Sequence, residues 1–148
     1  MTLTETLKQQ HAEVLRQVSD IQDAIQKGHC PLIQRELKKL GTALVAHLSL
    51  EDHKLYPELE RLAIESGAEN LALVARQFSS NMSRISAALL AFLGKYEKPF
   101  TDVAAFRRDW SAVLAALSAR IASEEVTLYP LYEKAVRTAR TRAQAKRV

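Results

Sequence analysis

The sequence predicts an all-α fold: an up-down-up-down four-helix bundle with short extra helical segments after the second and fourth helices. Apolar residues make up 47% of the 148 residues, and only four glycines and four prolines interrupt them. Four segments carry apolar residues at alternating intervals of three and four, which is the spacing of one helix face. No strand-like alternation competes with this pattern, so few, long helices around one core are expected.

The first two segments form a predicted helical hairpin. The first apolar stripe runs from Leu3 to Ile25. Thr2 and Glu5 have the spacing of a capping box that starts a helix, and Gly28 is suited to end it. The second stripe runs from Ile33 to Leu55 and follows a proline, which is suited to a first helical turn.

The other two long helices are predicted from the same spacing. A short helical piece is expected after Pro57, and the third stripe then runs from Leu71 to Phe92. The fourth stripe runs from Val103 to Leu128, and a basic helix is expected to continue past Pro130. The connections between these segments are short, which favours antiparallel neighbours.

The predicted domain organisation is one bundle over residues 1–136 and a basic tail over residues 137–148. The tail carries five basic residues and no acidic one, whereas the whole chain has a net charge of +4. A solvated helix end explains such a tail, and contact with an acidic partner is the alternative. No aromatic residue lies among these charges, so nucleic-acid binding is not indicated.

Polar residues that interrupt the apolar stripes are predicted to point into the bundle: His11, His47, Glu51, Asn81, Arg120 and Glu124. An inward charge must be paired or bound to a metal ion. Glu51 follows His47 by four residues, so both side chains leave one helix face a turn apart. His11 and His47 lie equally far from His29, in the turn of the hairpin, and are therefore expected at one level.

The motif of the second helix nearly repeats in the fourth. The stretch HLSLEDHKLYPELE, which begins at His47, is matched by RIASEEVTLYPLYE, which begins at Arg120. The match aligns Glu124 with Glu51, so two imidazoles and two carboxylates are predicted to converge inside the bundle. Such a ligand set suits iron, manganese or zinc.

These motifs resemble the hemerythrin-like HHE cation-binding domain. The resemblance rests on His11, on the His47-x-x-x-Glu51 motif and on Glu124, with a Leu-Tyr-Pro after each carboxylate motif, and it extends to Tyr129. It implies a bundle that holds two iron ions bridged by carboxylates of the second and fourth helices. It also implies that His11 and His47 are ligands of one iron and that Glu51 and Glu124 are the bridges.

The half of the site for the second iron departs from the family pattern. Arg120 stands where the family has a histidine on the fourth helix, and Gln77 and Asn81 stand where it has histidines on the third. A guanidinium cannot ligate a metal ion, but it can pair with Glu51 or Glu124 and replace the lost cation. We therefore expect either one ion, of iron, zinc or manganese, in the surviving half, or a metal-free polar core.

The remaining polar and aromatic residues have simpler expected places. Tyr56 and Tyr129 are expected to cap the end of the bundle by packing, and an additional role near a metal ion is the alternative. His29 and His53 are expected to face solvent. The lone Cys30 is expected to be an incidental loop residue.

The favoured function is a non-catalytic regulatory or sensory protein that holds at most one metal ion and acts through an unidentified protein partner. The first alternative is a metal-binding sensor or store for iron, oxygen or nitric oxide. The second, by fold-level analogy alone, is an anti-sigma or RNA polymerase-binding regulator. No nucleophile-base pair, phosphate loop or cysteine-based zinc motif indicates an enzyme. One cysteine and no recognisable secretory signal or membrane span favour the cytoplasm.

Overall fold

A computed structural model describes residues 1–147, which form six α-helices. These are α1 (Leu3–Lys27), α2 (Cys30–Leu50), α3 (Tyr56–Glu65), α4 (Glu69–Lys95), α5 (Val103–Ser123) and α6 (Tyr129–Lys146). Around the bundle α1 lies beside α2, α2 beside α4, α4 beside α5, and α5 beside α1. The shorter helices α3 and α6 contact each other. The predicted four-helix bundle with two extra helical segments is confirmed.

Local signals set the ends of the first two helices. The Thr2 hydroxyl accepts from the Glu5 N–H and the Glu5 carboxylate accepts from the Thr2 N–H, so the predicted capping box is present. Gly28 ends α1 in the left-handed conformation, with φ 65°. His29 is exposed, and its Nδ1 accepts from a backbone N–H in the first turn of α2. Because this cap starts α2 at once, Cys30 is its first residue, and the prediction of a loop residue was wrong.

Each half of the sequence repeat contains a π-helical turn. Glu51–Leu55 continues α2 and Glu124–Leu128 continues α5, without a break. Tyrosines 56 and 129 follow, and the N–H of each donates to the carbonyl five residues earlier. The proline after each tyrosine has no N–H and cannot make the hydrogen bond that a regular α-helix requires at its position. The wider π-helical turn before it accommodates this missing hydrogen bond. The extra residue also changes the direction in which each tyrosine leaves the helix.

A polar layer separates two apolar clusters in the interior. The first cluster contains Phe106 and Trp110, and the second contains Leu55 and Leu128. Between them α1, α2, α5 and the π-helical turns contribute buried polar residues: His11, His47, Glu51, Arg120 and Glu124. The fold thus encloses these side chains on both sides in apolar surroundings.

The inward face of α4 differs from the prediction. Its buried residues are Ala72, Ala75, Met82, Leu89 and Phe92. Gln77 and Asn81 are exposed, so the prediction that Asn81 points inward was wrong. The predicted stripe followed the large side chains, which lie half-buried at the edge of this face, whereas small alanines let α4 approach the bundle along its centre. One residue along an α-helix rotates the side chain by roughly 100°, enough to turn Met82 inward and Asn81 outward.

The basic tail is the end of α6 and has no boundary of its own. The helix runs from Tyr129 to Lys146, through the predicted boundary at residue 137, and residues 141–147 are all exposed. Val148, the last residue of the predicted tail, lies outside the described residues. Neither α6 nor any other described helix is both long and apolar enough to cross a membrane.

Candidate metal centre

Three of the four predicted ligands present their donor atoms to one another in the polar layer. His11 Nε2 lies 3.1 Å from His47 Nε2 and 2.9 Å from Glu124 Oε1. His47 Nε2 lies 3.4 Å from the same Glu124 oxygen. Each of the three residues offers a ligand atom within 4.8 Å of the others, and all three are buried. Side chains from α1, α2 and the π-helical turn after α5 therefore form a compact His-His-Glu cluster.

The outer nitrogens of both imidazoles are held by acceptors. His11 Nδ1 donates to Glu125 Oε1 over 3.1 Å, and His47 Nδ1 donates to Gln10 Oε1 over 3.0 Å. These partners assign a hydrogen to Nδ1 of each ring and direct both Nε2 atoms inward. Histidines that ligate metals are oriented in this way. Neither Glu125 nor Gln10 was predicted, although each is the chain neighbour of a predicted ligand.

Two neutral imidazoles in these orientations would face each other with lone pairs at Nε2. Lone pairs 3.1 Å apart repel unless a cation lies between them, and that cation is either a proton on one ring or a shared metal ion. Two nitrogens that each bind zinc at about 2.0–2.1 Å, in tetrahedral geometry, lie about 3.4 Å apart. The separation of the two Nε2 atoms thus fits a common ion after a small adjustment.

Arg120 fills the other half of the polar layer. Its Nη2 donates to Glu51 Oε1 over 3.0 Å, and its Nε lies 3.5 Å from Glu124 Oε2. Its Nη1 donates to Ser86 Oγ over 2.8 Å and to the Met82 carbonyl oxygen over 3.4 Å. The expected pairing of Arg120 with the carboxylates is therefore present, and the guanidinium lies beside both of them instead of only one.

Glu51 is held by the polar layer without joining the His-His-Glu cluster. Its Oε1, which receives the Arg120 hydrogen bond, also lies 3.3 Å from His47 Nε2. Its Oε2 accepts from the Tyr129 hydroxyl over 3.2 Å, and this hydroxyl lies 3.2 Å from His11 Nε2 as well.

The two repeated tyrosines have different surroundings. Tyr129 is fully buried and its hydroxyl lies at the cluster, so it has the alternative of its two expected places, near the candidate metal ligands. The π-helical turn before it contributes to this position, because a regular helical spacing does not give this direction. Tyr56 is also buried, yet its hydroxyl has no hydrogen-bond partner among the described residues.

Burial and neighbouring charges distribute protons unevenly over this layer. Burial alone would lower the pKa of His47, but hydrogen bonds to Glu124 and Glu51, and their charges, raise it to about 9. Burial raises the pKa of Glu51 and the neighbouring Glu124 carboxylate raises it further, whereas the hydrogen bond and charge of His47 act to lower it. Burial acts to raise the pKa of Glu124 as well, but hydrogen bonds from His11 and His47 hold it well below its usual range.

A proton on His47 therefore takes the place of a metal ion when none is bound. With both carboxylates ionised, protonated His47 and Arg120 balance their charge. Because the folded-state pKa of His47 lies above its ordinary value of 6.5, the stability it contributes is complete below about that pH. This contribution is lost as the pH rises through about 9.

The space left beside these side chains is small. A cavity of about 10 Å³ is lined by His11, His47, Arg120, Glu124 and apolar neighbours from the helices around them. Such a volume corresponds to about one water molecule or one small ion. The space therefore suits a single small ion among these side chains.

The fold and this cluster define a class of protein: a four-helix bundle whose facing helices present histidine and carboxylate ligands in the core. The hemerythrin HHE cation-binding domain family matches residues 2–132. The chain therefore belongs to this family, and the predicted resemblance is confirmed. No curated protein and no solved structure matched the chain significantly.

Five of the seven predicted site residues lie together in the polar layer: His11, His47, Glu51, Arg120 and Glu124. Gln77 and Asn81 lie on the exposed face of α4 and do not reach it. The α4 residues beside Arg120 are Met82 and Ser86 instead. These two are four residues apart, the spacing that the family resemblance implies for its histidines on this helix.

Proposed function

We propose that this member of the hemerythrin HHE family is a non-catalytic regulatory or sensory protein that binds one divalent transition metal ion. The ligands are His11, His47 and Glu124, and iron and zinc are the ions that this ligand set suits best. The observation that carries the proposal is the inward pair of Nε2 atoms, each ring held from behind by an acceptor on Nδ1.

Charge supports one ion and disfavours two. The ion takes the place of the His47 proton, and Glu125, which accepts from His11 Nδ1, offsets the added positive charge. Arg120 supplies a permanent cation on the other side of Glu51 and Glu124. A second metal ion would have to bind next to this guanidinium, and like charges at such distances repel strongly in a buried site.

The metal would supply open coordination positions, since three protein ligands do not complete its shell. This property suits a sensor of a small ligand such as oxygen or nitric oxide. Tyr129 offers a route for the signal, because its hydroxyl contacts His11 and Glu51 and its backbone begins α6. A change at the cluster therefore acts directly on the first turn of α6.

The ligand assignment is tested by replacing one histidine that is proposed to bind the ion and, separately, one that is not. We expect His11→Ala to weaken zinc and ferrous binding by at least about 100-fold, because loss of a ligand exceeds the roughly 10–100-fold effect of losing a group that only orients one. His53→Ala is the matched control, since His53 is exposed and its hydrogen bonds within the described residues are to Ser49, one turn earlier. Isothermal titration under anaerobic conditions measures both affinities.

Circular dichroism of each variant confirms that it is folded before titration. An equal loss of affinity in His11→Ala and His53→Ala would contradict the assignment. Failure of the unmodified protein to bind either ion at millimolar concentration would favour the metal-free polar core, in which Arg120 and the His47 proton alone balance the carboxylates.

A further inference from the structure

A long groove lies between α3 and α6, with a volume of about 800 Å³. We call it the α3–α6 groove. Its apolar lining consists of Leu62, Leu71, Leu131, Ala135 and Ala139, and exposed cations on its α6 side are Lys134, Arg142 and Lys146. It is separate from the metal centre, none of whose residues line it.

The groove exists because α6 is anchored only at its beginning. The Tyr132 hydroxyl donates to Glu58 of α3 over 2.6 Å, and the Thr4 hydroxyl of α1 donates to Glu133 over 2.7 Å. Beyond these contacts the burial of α6 falls, and residues 141–147 are all exposed. The second half of α6 therefore presents one side to the groove and no described element covers it.

The charged side chains that α6 contributes to the groove are all basic. After Glu133, α6 contains five basic residues and no acidic one, and three of the five line the groove. The acid on the opposite side, Glu65, is already paired, because Arg61 donates to both of its oxygens over 3.0 Å. The groove thus combines an apolar floor with a cationic edge that has no carboxylate partner among residues 1–147.

We infer that the α3–α6 groove binds an acidic amphipathic helix of a partner protein. Its apolar residues would pack on Leu71, Leu131 and Ala139, and its carboxylates would pair with Arg142 and Lys146. A helix laid between two helices in this way is a common mode of peptide recognition. The inference deepens the regulatory part of the proposed function, because it names the surface through which the protein would act.

Other occupants fit the groove less well. A second copy that placed its own α6 there would bring like charges together, which is destabilising. Nucleic acid would find cations but no aromatic side chain on which a base could stack, since the lining is aliphatic. Charge complementarity together with the aliphatic floor therefore favours an acidic helix.

The test uses a fluorescein-labelled helical peptide of about 20 residues, with leucine along one face and glutamate along both flanks. We expect it to bind one per chain, with amide chemical-shift changes concentrated at Leu71, Leu131 and Ala139. The double variant Arg142→Glu/Lys146→Glu should weaken binding by at least about tenfold, as expected for removing attractive and adding repulsive charge. The matched control Arg137→Glu/Arg140→Glu changes the same charge on the same helix outside the groove, and should change affinity less than threefold.

Several results would overturn the inference. Equal weakening by both double variants would indicate diffuse attraction to a basic helix, and equal binding of a peptide with serine in place of leucine would exclude recognition by the floor. Tighter binding of a DNA duplex than of the peptide, or a dimer that the peptide dissociates, would assign the groove to those occupants. Zinc titration of the same samples separates the two proposals: peptide binding that fails beside intact metal binding overturns the groove alone, and the reverse result overturns the metal function alone.

Discussion

Replacing Arg120 with leucine is expected to lower the free energy of unfolding of the metal-free protein by about 3–5 kcal/mol at pH 7. Arg120 is buried, and its removal leaves Glu51 and Glu124 near each other without the guanidinium that both approach. A loss of this size should lower the midpoint of thermal unfolding by about 10 °C or more. The leucine itself suits a helix, so the loss would come from the unpaired charge.

The same loss should depend on pH with a definite sign. Without Arg120, one carboxyl must stay protonated in the folded state, so its folded-state pKa lies above the unfolded value of about 4.3. Keeping this carboxyl protonated destabilises the folded state by about 1.4 kcal/mol for each unit by which the pH exceeds the unfolded-state pKa. The destabilisation is about 3.7 kcal/mol at pH 7 and about 1 kcal/mol at pH 5. The destabilisation should therefore grow between pH 5 and 7, as chemical denaturation at both values would measure.

The matched control for this prediction is Arg108→Leu, since Arg108 lies on the same helix and is exposed. Its effect on stability should stay within about 0.5 kcal/mol. Added zinc should also restore part of the stability lost in Arg120→Leu, because a bound ion stabilises by mass action. A neutral or stabilising effect of Arg120→Leu at pH 7 without metal would show that Arg120 does not compensate the two carboxylates.

The second large effect is a gain of metal capacity from one ion to two. In the triple variant Arg120→His/Met82→His/Ser86→His, the guanidinium is removed and histidines are placed where its contacts with α4 lie now. They would join Glu51 and Glu124 as a second set of nitrogen and carboxylate ligands. We expect zinc or ferrous titration to reach two ions per chain.

The control for this gain is Arg120→His/Gln77→His/Asn81→His. It introduces the same number of histidines with the same spacing on α4, but Gln77 and Asn81 are exposed. Its capacity should remain at one buried ion per chain. Two buried ions in the control, or one in the triple variant, would mean that the inward face of α4 has been assigned wrongly.

The sequence was sufficient for the fold and for the ligands on three helices. His11, His47 and Glu124 interrupt long apolar stripes whose period is unambiguous, because bulky residues occupy one face of each helix. On α4 the apolar residues extend around more than half of the helix, so spacing alone did not identify the inward face. Small residues such as Ala75 determine which face of α4 points inward, since they allow close approach of the helix to the bundle.

Helical spacing also did not predict the direction of the Tyr129 side chain or the hydrogen-bond partners of the two histidines. The reasons differ from the one on α4. A π-helical turn precedes Tyr129 and adds a residue to the regular count. Gln10 and Glu125 act through side chains long enough to reach a neighbouring helix, so their roles depend on packing between helices and not on helical period. The repeated Leu-Tyr-Pro was the sequence signal for this region, but it did not predict the direction of the tyrosine side chain.

The central claim is that one half of this centre holds a metal ion while Arg120 takes the place of a second. Elemental analysis of the protein purified without chelators, repeated after anaerobic reconstitution with excess ferrous ion and desalting, tests it most directly. We predict one transition metal ion per chain in the reconstituted protein and no binding beyond one. Two ions per chain would show that Arg120 does not replace the second ion, and none would show that the His-His-Glu cluster is a metal-free polar core.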